Sequence, residues 1–401
     1  MKRIEIDITG ESGICDYRPV TFWLLWLGML ATSTGSMVLL LGISSIIYIE
    51  SNSAIFSSMV FVSQWFLPIF LVNWIGKIGR VNQPAIALIC IECALFFTLP
   101  LIGEEYYQLF IGLVLRGLLN TCGEFLRSTC IKRYIPEERL EKTVTHFNTS
   151  RYLGIALAGL LSYLGMNDVD YHSLVLIAAC CHVVSFFAYL FIPKLKVHNN
   201  IHNSSGVWHV ALKEITKNEK IRNSIYMLVL TTAVLQGFHT VARSSLPIAL
   251  YKGDVSSGLF LQSGIGPVIL LALWLYSYLL KINASRLLIY NVALFFCGFF
   301  LLAMTYTDNL MVGVSLYWAY FFSYEIIYTK LNNDLMMSTT RDNVGDVISV
   351  SNAIVSVSMA IGIIFLGSIV DRFDFKIVIT LCAMATFAFL ISSLLKYKKE
   401  I

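Results

Sequence analysis

The stretch Leu113–Arg127, LVLRGLLNTCGEFLR, decides the fold, because it places ionisable side chains inside a long apolar run. At about 100° per residue, its four large polar side chains project from one narrow arc of a helix. An ionisable side chain in the bilayer centre costs about 2.5–3.5 kcal/mol, so such a stripe faces a bundle interior or a water-filled path. Alternatively, the arginine in mid-run binds backbone carbonyls, and the last two side chains lie at the lipid headgroups. The four are Arg116, Asn120, Glu124 and Arg127.

The composition is that of an integral membrane protein. Hydrophobic residues make up 57% of the chain and charged residues 13%, against about 25% charged in soluble domains. The apolar runs are about 20 residues long without alternating polarity, so they predict helices and not a β-barrel. The nine cysteines, an odd number, do not form a disulfide pattern. The net charge of +4 does not require nucleic acid as a partner.

Twelve apolar runs predict an all-α integral membrane protein with two pseudo-symmetric bundles of six transmembrane helices. We predict the N-terminal bundle over 20–192 and the C-terminal bundle over 222–396. Residues 1–19 and 397–401 are predicted to be cytoplasmic tails, and 193–221 a cytoplasmic linker with a short amphipathic helix. The predicted spans are 20–48, 54–75, 84–103, 107–127, 146–165, 172–192, 222–249, 256–280, 287–306, 309–330, 346–370 and 375–396.

Lysine and arginine are unevenly distributed over the predicted loops. With the N-terminus inside, the outer loops keep only Lys252, Arg372 and Lys376. The positive-inside rule therefore predicts that both termini are cytoplasmic. We expect a multi-pass protein of the cell inner membrane that works as a monomer.

A glycine pair recurs in the two halves. GIALAG at 154–159 in span five returns as GIIFLG at 362–367 in span eleven. Helix packing alone explains either copy, since glycines allow helices to approach closely. Their matching positions indicate duplicated halves, the common plan of secondary transporters.

Several motifs carry a family resemblance. The first motif is residues 17–59, which cover the first span and the turn into the second. The second motif, GKIGR, begins at Gly76 between spans two and three. Leu115-Arg116, IPEERL at 135–140, SRYLG at 150–154 and RDNVGDV at 341–347 follow. Together they resemble the major facilitator superfamily, and within it the branch of enterobactin exporters and macrolide efflux pumps.

The resemblance implies that spans one, four, seven and ten line a central cavity. It also implies that Gly76, Gly79 and Arg80 form a gating loop at the inner face, with Gly76 in place of the usual aspartate. Ser36 stands where the branch often carries an acid in span one. A coupling carboxylate would therefore lie elsewhere.

Spans four, seven and ten each carry a polar or aromatic stripe of helical period. Two arginines, several aromatic rings and no block of like charges predict a large, amphipathic or partly anionic cargo. For the tyrosines the alternative is a lipid-facing or packing surface. The predicted cavity residues are Arg116, Asn120, Thr232, Gln236, His239, Arg243, Tyr317, Tyr320 and Tyr324.

Glu325, at the edge of the span-ten stripe, is the first candidate for proton coupling, followed by His239 and Glu124. Overlaying the halves places Glu325 about a turn from the counterpart of Arg116, so the two are expected to face each other. Arginine stays charged, whereas a carboxyl group can change protonation as water access alternates. The alternative is a fixed ion pair that braces the halves.

Two ionisable residues fall in spans that are not expected to line the cavity. Glu92 in span three is expected to be protonated or paired in a helix contact, and His182 in span six to pack. Cys90 and Cys93 flank Glu92 as CxxC, where packing is favoured over metal or redox chemistry. No metal site or cofactor is predicted.

The leading functional hypothesis is a secondary active transporter that exports a small natural product, such as a siderophore, antibiotic or modified peptide, in exchange for protons. The chain has no GxxxxGK[ST] motif to bind ATP. Proton-coupled nutrient uptake is a second hypothesis. A membrane receptor or assembly factor that has lost transport is a third. An enzyme is least favoured, because no catalytic constellation stands out.

Overall fold

The computed structural model describes residues 19–71, 74–75, 78, 81, 83–103, 105–134, 137–165, 171–193, 207–253, 255–339 and 344–400. Within these ranges the chain is helical and has no strand, which confirms the predicted all-α fold. The predicted gating-loop residues Gly76, Gly79 and Arg80 lie outside the described residues.

Six long helices form the first half, and their positions match the predicted spans one to six. Span six packs on span one, and span four packs on spans two and three. The helices are Pro19–Ser51, Ala54–Phe70, Pro84–Phe97, Tyr106–Tyr134, Glu137–Gly165 and Tyr171–Leu190, with a short 3-10 turn at Leu99–Leu101.

The second half repeats this arrangement with two interruptions. Span seven contains a π-helical turn, Thr232–Gln236, and span eight is broken at Gly264. Span seven comprises Glu219–Thr231, the π-helical turn and Gly237–Ala249, and span eight comprises Val255–Ser263 and Ile265–Lys281. Spans nine to twelve are Arg286–Met304, Leu310–Ser338, Val344–Arg372 and Phe375–Glu400.

Ten of these spans are long and apolar enough to cross a membrane by length and composition. Span two is shorter, with 17 residues, and the first part of span five is charged. Large apolar side chains such as Phe97, Trp274 and Phe365 are exposed on the outer faces of the helices. Exposed apolar surface of this extent indicates contact with lipid.

A helix at Val207–Lys217 lies within the predicted linker and packs on span eleven. Ala211 on its apolar face is fully buried, and Trp208 and Ile215 pack against the core of the second half. Much of the apolar face therefore meets protein rather than the membrane surface.

The repeated glycine pairs make equivalent contacts in the two halves. Gly154 lies against span one and Gly362 against span seven, so the first glycine meets the first helix of its own half. Gly159 lies against span eight and Gly367 against Ile55 of span two, so the second glycine meets the other half. A methyl group at Gly362 would overlap the Ala233 carbonyl oxygen of span seven. These contacts display the pseudo-symmetry that the sequence repeat indicated.

One end of the bundle is closed by contacts between the halves. We call it the distal end, where span one stops at Ser51, and the opposite end the linker end. Asp371 of span eleven accepts hydrogen bonds from the Ser53 hydroxyl at 2.5 Å and from the Ala54 backbone N–H at 2.6 Å. This carboxylate caps the N-terminus of span two, where the helix dipole favours a negative charge.

Asp371→Ala is expected to weaken the distal closure by about 1 kcal/mol, the usual value of a helix cap. The open state should then be several-fold more populated. A cysteine at position 244 (Ser244→Cys) lies beneath this closure, since Ser244 contacts Ser57 across the halves at 3.1 Å. We expect a membrane-impermeant maleimide to label this cysteine faster in the Asp371→Ala variant.

Asp374→Ala is the matched control for that prediction. Asp374 also caps a helix, accepting from the Lys376 backbone N–H at 2.9 Å, but it does so within the second half. Equal labelling rates in the two variants would show that Asp371 does not hold the distal end closed.

Candidate functional site

The tyrosine stripe of span ten lies inside the second half. Tyr317, Tyr320 and Tyr324 each expose at most 1% of their surface. The Tyr320 hydroxyl donates to the Leu235 carbonyl at 2.6 Å, within the π-helical turn of span seven. Contrary to prediction, these rings are therefore core contacts between spans seven and ten in this structure. Their spacing alone could not distinguish a packed stripe from a cavity wall.

The predicted residues of span seven fall into two groups, Thr232 and Gln236 in the π-helical turn and the buried His239 and Arg243 in the helix that follows it. Thr232 and Gln236 begin and end the π-helical turn. His239 is buried, with Nδ1 at 2.6 Å from the Tyr317 hydroxyl and its ring stacked on Phe321 at 4.0 Å between centroids. This packing holds the imidazole in one orientation.

Arg116 points into the first half and not towards Glu325. Its Nη1 donates to the Leu95 carbonyl at 2.8 Å and to the Thr98 hydroxyl at 3.0 Å. Its Nη2 lies 2.7 Å from Nε2 of His182. The prediction that Arg116 faces Glu325 across a cavity is wrong for this structure, because groups of spans three and six occupy the guanidinium.

The Arg116 contact fixes the tautomer of His182. A guanidinium only donates, so Nε2 of His182 is the acceptor and Nδ1 carries the proton. Nδ1 lies 2.9 Å from a carboxylate oxygen of Glu92. His182 is thus a polar link between an arginine and an acid, where the sequence had suggested packing.

Glu92 connects four helices. Its carboxylate accepts from the Thr32 hydroxyl of span one at 2.7 Å and lies 3.8 Å from Nη1 of Arg127 in span four. None of Glu92, Arg116, Arg127 and His182 exposes more than 3% of its surface. We call these four the buried ionic cluster. Of the states the sequence left open for Glu92, the structure shows the paired one.

Asn120 lies on the other edge of the span-four stripe. Its Oδ1 accepts from the Ser36 hydroxyl of span one at 3.2 Å, and its Nδ2 faces the Gln64 carbonyl oxygen of span two at 3.5 Å. All three side chains are neutral. The position where an acid was expected in span one is therefore part of an uncharged polar chain.

Glu124 pairs with a cation that sequence reasoning missed. Its carboxylate lies 3.3 Å from Nη1 of Arg151 in span five, and both side chains are about half exposed, at 41% and 51%. Arg151 and Tyr152 lie close to Tyr328 of span ten, and Tyr152 also lies within electrostatic range of Glu325. The available signal was an arginine inside an apolar span, in the motif SRYLG.

Glu325 lies near the middle of span ten and exposes 8% of its surface. It has no hydrogen-bond or ion-pair partner among the described residues, which sets it apart from Glu92 and Glu124. Through its electrostatic effect on Tyr152 of span five, Glu325 belongs to a group of ionisable side chains from both halves. We call this group the Glu325 site: Glu124, Arg151, Tyr152, Glu325 and Tyr328.

The comparison with known families agrees with this architecture. A family model described as the Major Facilitator Superfamily matches residues 22–363. The chain belongs to the Major Facilitator Superfamily. As a member, it is a multi-pass membrane protein with the fold of secondary transporters, and not an enzyme. A search of curated proteins found no match.

Solved structures of this superfamily share the fold over nearly the whole chain. The nucleoside transporter NupG aligns with a TM-score of 0.73 at 15% identity, covering 95% of this chain and 100% of its own. A POT family transporter in complex with a thioalcohol conjugated peptide gives 0.75 at 12%, covering 94% and 96%. An inward-facing bacterial homolog of the human lysosomal transporter Spinster gives 0.67 at 15%, covering 94% and 95%.

Proposed function

We propose that this superfamily member exports a small natural product across the cytoplasmic membrane in exchange for protons. The observation that carries the proposal is Glu325, a buried carboxyl group near the middle of span ten that has no cationic partner among the described residues. A buried carboxyl group of this kind marks a proton or substrate path, because leaving a charge unpaired in the membrane is costly.

The arrangement around Glu325 supplies the parts of an exchange cycle. Arg151 is partly exposed on the opposite half and is held by Glu124 at 3.3 Å. A rearrangement that brings its guanidinium to Glu325 would let it bind the deprotonated carboxylate or an anionic cargo. Proton binding at Glu325 would then free the Arg151 guanidinium from the carboxylate, so that it can bind the cargo. Proton and cargo would thus occupy the site alternately.

The closed distal end supports an assignment of conformation. If the linker end is cytoplasmic, as the distribution of lysine and arginine predicts, the distal closure separates the Glu325 site from the outside in this state, and the site would be loaded from the cytoplasm. A site loaded from the cytoplasm suits export. The resemblance of the span-one and loop motifs to exporters favours the same direction.

The test uses inverted membrane vesicles that acidify their interior by respiration, with an acid-sensitive dye as the readout. Aromatic carboxylates, short peptides and macrolides are added outside, on the cytoplasmic face. An exporter that exchanges protons for one of these compounds should dissipate the gradient only in vesicles that contain the protein.

The same vesicles distinguish the other hypotheses. A proton-coupled uptake system would respond only to compounds loaded inside, because it moves proton and cargo in the same direction. A receptor or assembly factor would leave the gradient unchanged with every compound on either side, and that result would refute the proposal.

A further inference from the structure

Arg243 of span seven is a buried cation without an anion. The residue exposes 8% of its surface, and its Nε is buried without a hydrogen-bond partner. Among the described residues no carboxylate forms an ion pair with it. The guanidinium instead lies over the ring of Phe61 in span two, with Cζ 3.0 Å from the ring centroid.

Arg116 shows how this protein treats an arginine that only holds helices together. It is also buried, with 2% of its surface exposed, but it is bonded to a carbonyl, a hydroxyl and an imidazole. Charged groups are almost never buried unless they are paired. A cation–π contact compensates for only part of the lost hydration. The unpaired state of Arg243 therefore indicates a partner that is absent from the resting chain.

The surroundings of Arg243 define the chemistry of that partner. They offer the Phe61 ring, the hydroxyl groups of Ser57 and Ser244 at 3.1 Å from each other, and the nearby aromatic ring of Tyr317. A planar guanidinium beside rings and hydroxyl groups suits a carboxylate or phosphate group on an aromatic molecule.

We infer that Arg243 binds an anionic group of the cargo, a carboxylate or a phosphate, at a subsite beneath the distal closure. The inference rests on the proposed function only in that the protein has a cargo. Phe61 and Arg243 belong to opposite halves, so the cation–π contact occupies the guanidinium while the site is empty. An arriving anion takes the place of the ring, and this links cargo binding to the separation of spans two and seven.

The test measures thermal unfolding of the purified protein in lipid nanodiscs with simple probes. Benzoate and phenyl phosphate carry the two candidate anions, and benzyl alcohol and benzylamine are the neutral and cationic controls. We expect one anion or both to raise the unfolding temperature of the wild type, and the controls to have no effect. The anion with the larger shift identifies carboxylate or phosphate as the preferred group.

Arg243→Gln should abolish the anion-induced shift, and Arg243→Lys should keep a weakened one, at least tenfold lower in apparent affinity. An unchanged wild-type unfolding temperature with both anions, or an equal shift in Arg243→Gln, overturns the inference. The measurement needs no proton gradient, so anion binding at Arg243 can succeed or fail independently of proton exchange in vesicles.

The same variants also test for a purely structural role. Removing an uncompensated buried charge should leave the unliganded Arg243→Gln protein at least as stable as the wild type. The matched Arg116→Gln variant, which removes the guanidinium that donates to Nε2 of His182 and to the Leu95 carbonyl, should unfold at a lower temperature. If Arg243→Gln also unfolds at a lower temperature than the wild type, Arg243 supports the fold and is not reserved for cargo.

Discussion

Glu92→Ala is expected to destabilise the folded protein by about 3–5 kcal/mol, because it removes the acid of a buried ion pair and leaves the cations behind. Glu92 is the one acid of the buried ionic cluster, whereas Arg116 and Arg127 are both cations. The variant also leaves the Thr32 hydroxyl and Nδ1 of His182 without their shared acceptor. Few single substitutions in this chain would leave so much buried charge unpaired.

The measurement is thermal unfolding in detergent micelles, together with the yield of monodisperse protein. Glu124→Ala is the matched control, since it removes a carboxylate from the half-exposed pair with Arg151. Pairs of that exposure contribute about 0–1 kcal/mol, so the control should stay near the wild type. Equal losses in the two variants would contradict the structural role of the cluster.

The span-four stripe shows what helical periodicity can and cannot predict. The pattern predicted the helix and its polar arc, but the side chains of that arc lie in two different environments. At about 100° per residue, Arg127 lies about 20° from Arg116, and Glu124 lies about 80° from it. Arg116 and Arg127 turn into the first half, and Glu124 reaches the space between the halves. A one-dimensional pattern cannot resolve this difference, because the rotation of the helix is set by its packing on spans two and three.

The surroundings of Glu325 were not predicted for a related reason. Overlaying the two halves gives the position equivalent to Glu325 in the first half, which lies near Arg116 on span four. The residue of the first half within electrostatic range of Glu325 is instead Tyr152 of span five, next to Arg151, which pairs with Glu124. The overlay identifies symmetry mates, whereas contacts across the interface depend on how the bundles are docked.

The spans and the duplication were predictable because they depend on local properties. An apolar run of about 20 residues has few alternatives to a membrane helix. The glycine repeat likewise requires only that close contacts recur, and the structure shows Gly159 and Gly367 each meeting the opposite half. The Asp371 cap depends on two segments far apart in sequence, and nothing in either segment alone indicates it.

Glu325→Gln is expected to reduce proton-driven transport to the level of vesicles without the protein, while exchange of cargo for cargo continues. Glutamine keeps the size and hydrogen-bonding capacity of a protonated carboxyl group but cannot release a proton. The variant should therefore load and unload cargo without coupling to the gradient. The dye assay in inverted vesicles measures the first activity, and counterflow of a labelled compound identified in that assay measures the second.

Asp334→Asn is the matched control on the same helix. Asp334 is paired with Lys330 at 2.8 Å and is partly exposed, so its neutralisation should leave the proton dependence intact. If Glu325 braced the two halves, its substitution would instead lower the amount of folded protein, but no cationic partner for such a brace lies among the described residues. Should the Glu325→Gln protein still concentrate cargo by using the proton gradient, Glu325 would not be the carrier. The next candidates would be His239, held by Tyr317, and then Glu124, whose pair with Arg151 is half exposed.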